Sequence, residues 1–173
     1  MRMAILTESG IQFDFGDTRV IVPYDPNRLE DEMDSAHPWK NIDFRIQISE
    51  NEWIWLEVKC LPNNIPPEHR QKQEEHFLEK LNSGQLVSEL RNKFLGTTAY
   101  LSWSKEFHLV KTHYICLLEA PGVLNIAHLK TLNDQLSRDI PNLGWAVELS
   151  TIVLDLKLWN KRFSHFKAQK LIT

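Results

Sequence analysis

Two neighbouring segments alternate apolar and polar residues so regularly that they constrain the fold more than any other part of the chain. In Asn41-Ile-Asp-Phe-Arg-Ile-Gln-Ile48, Ile42, Phe44, Ile46 and Ile48 share one face, and Asp43, Arg45 and Gln47 share the other. In Trp53-Ile-Trp-Leu-Glu-Val-Lys-Cys60, Ile54, Leu56, Val58 and Cys60 share one face, and Trp53, Trp55, Glu57 and Lys59 share the other. A period of two is that of a half-buried strand. The link Ser49-Glu50-Asn51-Glu52 is short and polar, so the pair reads as a β-hairpin.

Face parity then dictates which side chains meet. Residues paired across a hairpin point to the same side of the sheet, and a slip of one residue would turn a whole apolar set toward water. Only registers whose paired numbers sum to an even value keep the two apolar faces together. The two short-loop solutions each leave three residues in the turn; one sets Asp43 opposite Glu57 and the other sets it opposite Lys59. In both, two carboxylates and an ammonium become neighbours, about 5 Å apart at Cβ for direct pairs and about 7–8 Å for diagonal ones. Adjacent carboxylates repel unless positive charge lies between them. Carboxylates with a backbone carbonyl suit Mg²⁺ or Mn²⁺. A lysine beside such an ion can orient or deprotonate water and stabilise a developing oxyanion. Hard oxygen ligands with a nearby ammonium form a constellation suited to phosphodiester cleavage.

Asp43, a spacer of thirteen residues and then Glu57-Val58-Lys59 resembles the signature of the PD-(D/E)xK nuclease superfamily, over residues 41–60. The resemblance implies a restriction-endonuclease-like mixed central sheet flanked by helices. It also implies metal-dependent, endonuclease-like hydrolysis of nucleic acid, with DNA ranked ahead of RNA and the choice between them left open, and with Mg²⁺ or Mn²⁺ as cofactor. Carried over by position, Asp43 and Glu57 bind the metal, Val58 lends its carbonyl and Lys59 is catalytic. Ile42 stands where the family's proline would be. For the family's glutamate on a preceding helix, Glu30 and Glu32 are the candidates, and Gln73 is a candidate accessory residue on the following helix. The glutamine-plus-tyrosine motif of some relatives is incomplete, since Phe77 stands at the tyrosine position. Duplex-cutting members often pair, which adds a homodimer to the expectations.

The same residues have a purely structural account. A solvated sheet face commonly alternates acids and bases with apolar residues, and acid–lysine cross-strand pairs are ordinary surface ion pairs. The alternative is therefore a catalytically inert member of the same fold, or an unrelated α/β module that binds protein or nucleic acid. Trp53 or Trp55 packed over the carboxylates would favour that alternative; a hairpin facing open concave space would favour the nuclease.

At 173 residues, 42% hydrophobic and 25% charged, the chain is expected to form one domain spanning 1–173 with a substantial core. No apolar run approaches the ~20 residues that cross a bilayer, and the apolar run within Met1–Glu8 is too short for a secretory leader. The two cysteines, Cys60 and Cys116, lie in strand-like apolar runs and read as reduced, so a cytoplasmic location is expected. The net charge of −3 gives no basic stripe of the kind nucleic-acid scaffolds show. Acids gather at 25–34, and bases at Lys157, Lys161, Arg162, Lys167 and Lys170, which reads as a solvated terminal segment.

Elsewhere the order is strands, helix, strands, helix, strands, an α/β or α+β arrangement. Residues 4–22 read as a hairpin turning at Gly16-Asp17, and Leu29–Met33 as a helical turn. Pro67 is placed to open a helix that Asn82-Ser83-Gly84 interrupts. Leu86, Leu90 and Phe94 continue it as a core-facing stripe up to a stop at Gly96. Ala99–Trp103, His113–Leu118, Trp145–Leu149 and Ile152–Leu158 read as strands. Ile126, Leu129, Leu132, Leu136 and Ile140 trace a helix capped by Asn125. His69 with His76 on one helix face, and His108 with His113 beside a strand, are further polar sets whose simpler reading is surface histidine. The six tryptophans could stack on bases, but such aromatics more often fill core volume.

Overall fold

The computed structural model describes residues 5–21, 41–61, 65–103, 110–140 and 148–171. They form a mixed α/β structure of eight strands and four helices. In chain order these are β1 (Ile5–Glu8), β2 (Ile11–Asp14), β3 (Val20–Ile21), β4 (Phe44–Ser49), β5 (Glu52–Cys60), α1 (Pro67–Asn82) and α2 (Gln85–Trp103). There follow β6 (Lys111–Glu119), α3 (Ile126–Asp139), β7 (Glu148–Leu154), α4 (Leu156–Arg162) and β8 (Lys167–Lys170). A five-stranded sheet runs β3-β4-β5-β6-β7, and a three-stranded sheet runs β1-β2-β8.

The 41–60 hairpin forms as β4 and β5, antiparallel, with Phe44 opposite Leu56 and Ile46 opposite Ile54. Extending that register by one residue sets Asp43 opposite Glu57 rather than Lys59. The turn differs from the expected three residues. Ser49 pairs with Glu52 across Glu50-Asn51, and the ladder shifts register between Gln47 and Ser49. Ile48 is the extra residue, and the bulge leaves it 41% exposed instead of on the apolar face. β5, β6 and β7 are parallel, a pairing that needs crossover connections, supplied by α1–α2 and by α3.

Both faces of this sheet are covered, so β4 and β5 are not half-buried strands. Trp53, Trp55, Tyr114, Cys116, Leu118 and Val153 pack against Leu86, Leu90 and Phe94 of α2 and Leu129, Leu132 and Leu136 of α3. On the opposite face, Phe44, Ile46, Ile54, Leu56, Val58, Ile115, Leu117 and Leu154 pack against Ile11 and Phe13 of β2, Phe15, Trp159 of α4 and Ala168 of β8. Helices thus cover one face, while the second sheet with α4 covers the other. The Tyr114 hydroxyl donates to the Leu90 carbonyl at 2.7 Å, which ties β6 to α2. Among the described residues no helix is long and apolar enough to cross a membrane.

Several local expectations change. The first hairpin turns at Ser9-Gly10, not at Gly16-Asp17. Both turn residues have positive φ, 51° and 76°, as a two-residue turn of primed type requires. Val20–Ile21 joins β4 in the larger sheet instead of returning along β2. α2 runs through Gly96 to Trp103, so Ala99–Trp103 is helical. A glycine inside a helix costs only about 1 kcal/mol, and Thr97 and Leu101 continue the buried stripe of Leu90 and Phe94. The two late strands are one, β7, and residues from Leu156 onward form α4. Asp155 caps α4, its carboxylate accepting from the Leu158 N–H at 2.7 Å. The basic tail is not a solvated segment, since Trp159 is fully buried and Lys167–Lys170 pairs with β2. The predicted openings of two helices hold: Pro67 begins α1, and Asn125 caps α3 by accepting from the His128 N–H at 3.0 Å. The expected turn at Leu29–Met33 and residues 145–147 lie outside the described residues.

Candidate active site

At the carboxyl end of β5, on the helix-covered side, lies a cleft of about 360 Å³. Its lining includes Asp43, Glu57, Val58 and Lys59 from the hairpin, Phe77 and Lys80 from α1, and Leu86, Glu89 and Lys93 from α2. Glu8 and Ser9 reach it from the β1–β2 turn. The carboxyl ends of strands in open α/β sheets are the usual place for ligands.

Asp43 sits where β4 leaves the regular ladder. Its N–H donates to the Leu56 carbonyl at 3.1 Å, and its carboxylate accepts from the Val58 N–H at 2.7 Å. One residue earlier the chain turns toward α2, and the Ile42 N–H donates to Thr97 Oγ1 at 2.9 Å. Ile42 consequently joins the helix-side core, not the face of Phe44. Thr97 thereby pins the start of β4 one turn from Lys93, also donating to the Lys93 carbonyl at 3.0 Å. Thr97→Val is expected to destabilise the fold by about 1–3 kcal/mol, because the buried Ile42 N–H loses its acceptor. Thermal and urea denaturation measure this; a change below about 0.5 kcal/mol would mean the N–H has found another partner.

Glu57 is 2% exposed, and its Oε2 is buried with no hydrogen-bond donor. Burial pushes its carboxyl up to about 8, and the Asp43 charge adds to that, against the pull of Lys93 and Lys59. Burial also raises the Asp43 carboxyl, against the Val58 N–H and Lys93, which lower it. Lys93 Nζ lies 3.3 Å from Glu57 Oε2 and 3.8 Å from Asp43 Oδ1. Lys59 Nζ lies 3.8 Å from Glu57 Oε1 and 3.6 Å from Glu89 Oε2. Glu89 in turn accepts from Lys80 Nζ at 2.9 Å. The cleft therefore alternates acidic and basic side chains, and the most desolvated of them is the carboxyl group of Glu57.

The structure brings Asp43, Glu57, Val58 and Lys59 together. Gln73 stands exposed on α1 and does not line the cleft, although Phe77, one turn on, does. Glu30, Glu32, Trp39 and His108 lie outside the described residues. Neither Trp53 nor Trp55 covers the carboxylates: the Arg45 guanidinium lies 5.0 Å from the Trp53 ring, and Trp55 packs on Phe94 at 5.3 Å. His69 and His76 are exposed on α1. His113 bridges strands at the other end of the sheet, its Nε2 2.7 Å from Glu52 Oε1 and its Nδ1 2.6 Å from Ser150 Oγ. Among the described residues no cluster of three or more His, Cys, Asp and Glu side chains could hold a metal.

Lys93, Glu89 and Lys80 escaped the sequence reading. Their signal was present: Glu89 and Lys93 stand at i and i+4 beside the apolar stripe of α2, next to Leu90 and Phe94. Only the crossover from β5 through α1 and α2 sets that edge of the helix against the hairpin. No protein-family model, curated protein or solved structure matches the chain.

Proposed function

We propose that the protein is a nuclease of the PD-(D/E)xK type, hydrolysing phosphodiester bonds of nucleic acid, DNA in preference to RNA, with Mg²⁺ or Mn²⁺. The observation that carries this reading is the pairing of Asp43 and Glu57 in one cleft. A single ammonium reaches both carboxyl groups, and the Glu57 oxygen it approaches is buried. Such a pair favours a positive partner between its members. Two carboxylates and the Val58 carbonyl fit the small protein donor set of Mg²⁺, which keeps several waters and takes further ligands from substrate phosphates. Bound there, the ion would polarise the phosphate and make its water more acidic.

The chain's own groups account for the rest. Lys59 would hold or deprotonate the attacking water and offset charge that develops on the phosphate. Lys59, Lys80 and Lys93 partly offset the acids that line the cleft, Glu8, Asp43, Glu57 and Glu89. The open cleft, with both tryptophans packed into the core beneath, favours this reading over an inert module. Pairing of two copies and a cytoplasmic location are parts of the same proposal.

Calorimetric titration with Mn²⁺ tests it. Wild type is expected to bind one ion, and Asp43→Asn or Glu57→Gln to weaken binding at least about tenfold, or about 1.4 kcal/mol. Equal binding in all three proteins would refute the cation site.

A further inference from the structure

The Asp43–Glu57 pair already has a cationic neighbour, and it comes from neither hairpin strand. Lys93 projects from α2 with its ammonium within 4 Å of both carboxylates. That is where a bridging cation would gain most. Lys59, by contrast, approaches only Glu57 of the two, from the side of Oε1, and is shared with Glu89.

We propose that Lys93 is a displaceable counter-ion: in the metal-free protein its ammonium stands between Asp43 and Glu57, and a divalent cation enters only by moving it aside. The inference rests on the cation site proposed above. Three features support displacement over a permanent bridge. First, the approaches of 3.3 Å to Glu57 Oε2 and 3.8 Å to Asp43 Oδ1 are longer than the close contacts of a strong charge-assisted hydrogen bond, so the ammonium is held loosely. Second, the Lys93 side chain is a quarter exposed, so its four-carbon stem can swing toward the open cleft. Third, Glu89 lies one turn N-terminal on the same helix and lines the same cleft. A glutamate four residues before a lysine is the favourable order for a helical ion pair, so the displaced ammonium can share the Glu89 carboxylate with Lys80 and Lys59.

Electrostatics give the same result: an ammonium 3.3 Å and 3.8 Å from the two carboxyl groups repels a divalent ion entering between them. Lys93 therefore weakens metal binding in the free protein. Once displaced, it stands in the cleft where it can face a substrate phosphate, as a positioning residue.

The test is calorimetric titration of the full chain with Mn²⁺ at fixed pH and ionic strength. Lys93→Met is expected to tighten Mn²⁺ binding at least about tenfold. Lys80→Met, which removes the same charge from the same cleft but not from between the carboxylates, is expected to change it no more than about threefold. Should Lys93→Met fold poorly without metal, Lys93→Gln serves in its place, and the rise in melting temperature on adding Mn²⁺ is expected to exceed that of wild type. Mn²⁺ binding by wild type with no tightening in either Lys93 variant overturns the counter-ion role and leaves the cation site standing. Equal tightening in Lys80→Met overturns it as well, since the effect would then be general charge. No Mn²⁺ binding by wild type or by any Lys93 variant overturns the cation site and the counter-ion together.

Discussion

Lys59→Ala is expected to lose nucleic-acid cleavage by about 10²–10³-fold, the loss typical of removing one group that stabilises transition-state charge, while Mn²⁺ affinity stays within a few-fold of wild type. The two readouts separate because Lys59 is not a proposed metal ligand. Its ammonium stands 3.8 Å from Glu57 and 3.6 Å from Glu89, beyond hydrogen-bonding distance of both, so it can turn to a water or phosphate in the cleft. An interaction gained only in the transition state lowers the barrier without tightening the ground state. If Lys59 were merely part of a surface ion pair, its removal would cost at most about 1 kcal/mol of stability and touch no activity. The assay is cleavage of single- and double-stranded DNA and RNA with Mn²⁺, with melting curves matched between wild type and variant. Wild-type rates in Lys59→Ala would exclude the proposed mechanism. A wild-type protein that cuts no substrate in that panel would make the inert module the better account.

The hairpin at the centre of the site was legible because its signal is local. Alternation alone placed Trp53, Trp55, Glu57 and Lys59 on one face and Ile54, Leu56 and Val58 on the other, and parity restricted Asp43 to two partners. Parity failed only at Ile42 and Ile48, where the ladder stops. Ile42 follows a hydrogen bond to Thr97, fifty-five residues away, and Ile48 occupies a bulge. Neither a distant acceptor nor a single extra residue leaves a mark on periodicity. The polar face was not solvated, because Trp53 and Trp55 carry enough apolar surface to bury it under α2. The alternation reported the pleat correctly but could not say what covers it.

The errors elsewhere have similar causes. Ala99–Trp103 is too short for period alone to separate strand from helix, and the buried Thr97 and Leu101 settle it in favour of α2. β8 is a four-residue edge of charged and polar residues, Lys-Ala-Gln-Lys, whose one buried side chain is Ala168. Its pairing with β2 closes a sheet from opposite ends of the chain, with Asp14 opposite Lys167. Such a contact is invisible to any window along the sequence. The lysines of α2 belong to the same class: the crossover creates their neighbours.

Glu57 should leave its mark on stability as a function of pH. Its carboxyl ordinarily titrates near 4.5, as it would in the unfolded chain, but near 8 in the fold. Between those values the folded protein holds a proton that the unfolded chain has released. The contribution of this group is therefore fully present below about 4.5 and is lost as pH rises through about 8. Asp43, also raised, acts in the same direction. Glu57→Gln stays neutral throughout and loses this dependence. Across pH 5 to 9 the stability of metal-free wild type is expected to fall relative to Glu57→Gln by about 2–4 kcal/mol. Taking the difference between the two proteins removes the titration of shared groups that do not interact with Glu57; Asp43, whose charge couples to it, contributes to the difference. Mn²⁺ should reverse the ordering at pH 8, because an ion that binds only the folded state stabilises it by mass action and lets Glu57 ionise in place. The variant, lacking one ligand, should gain little. Urea denaturation at half-unit steps of pH, with and without Mn²⁺, reads both effects. Parallel wild-type and variant curves without metal would mean that Glu57 ionises in the fold as readily as in water, and the desolvated carboxylate at the heart of the proposed site would have to be given up.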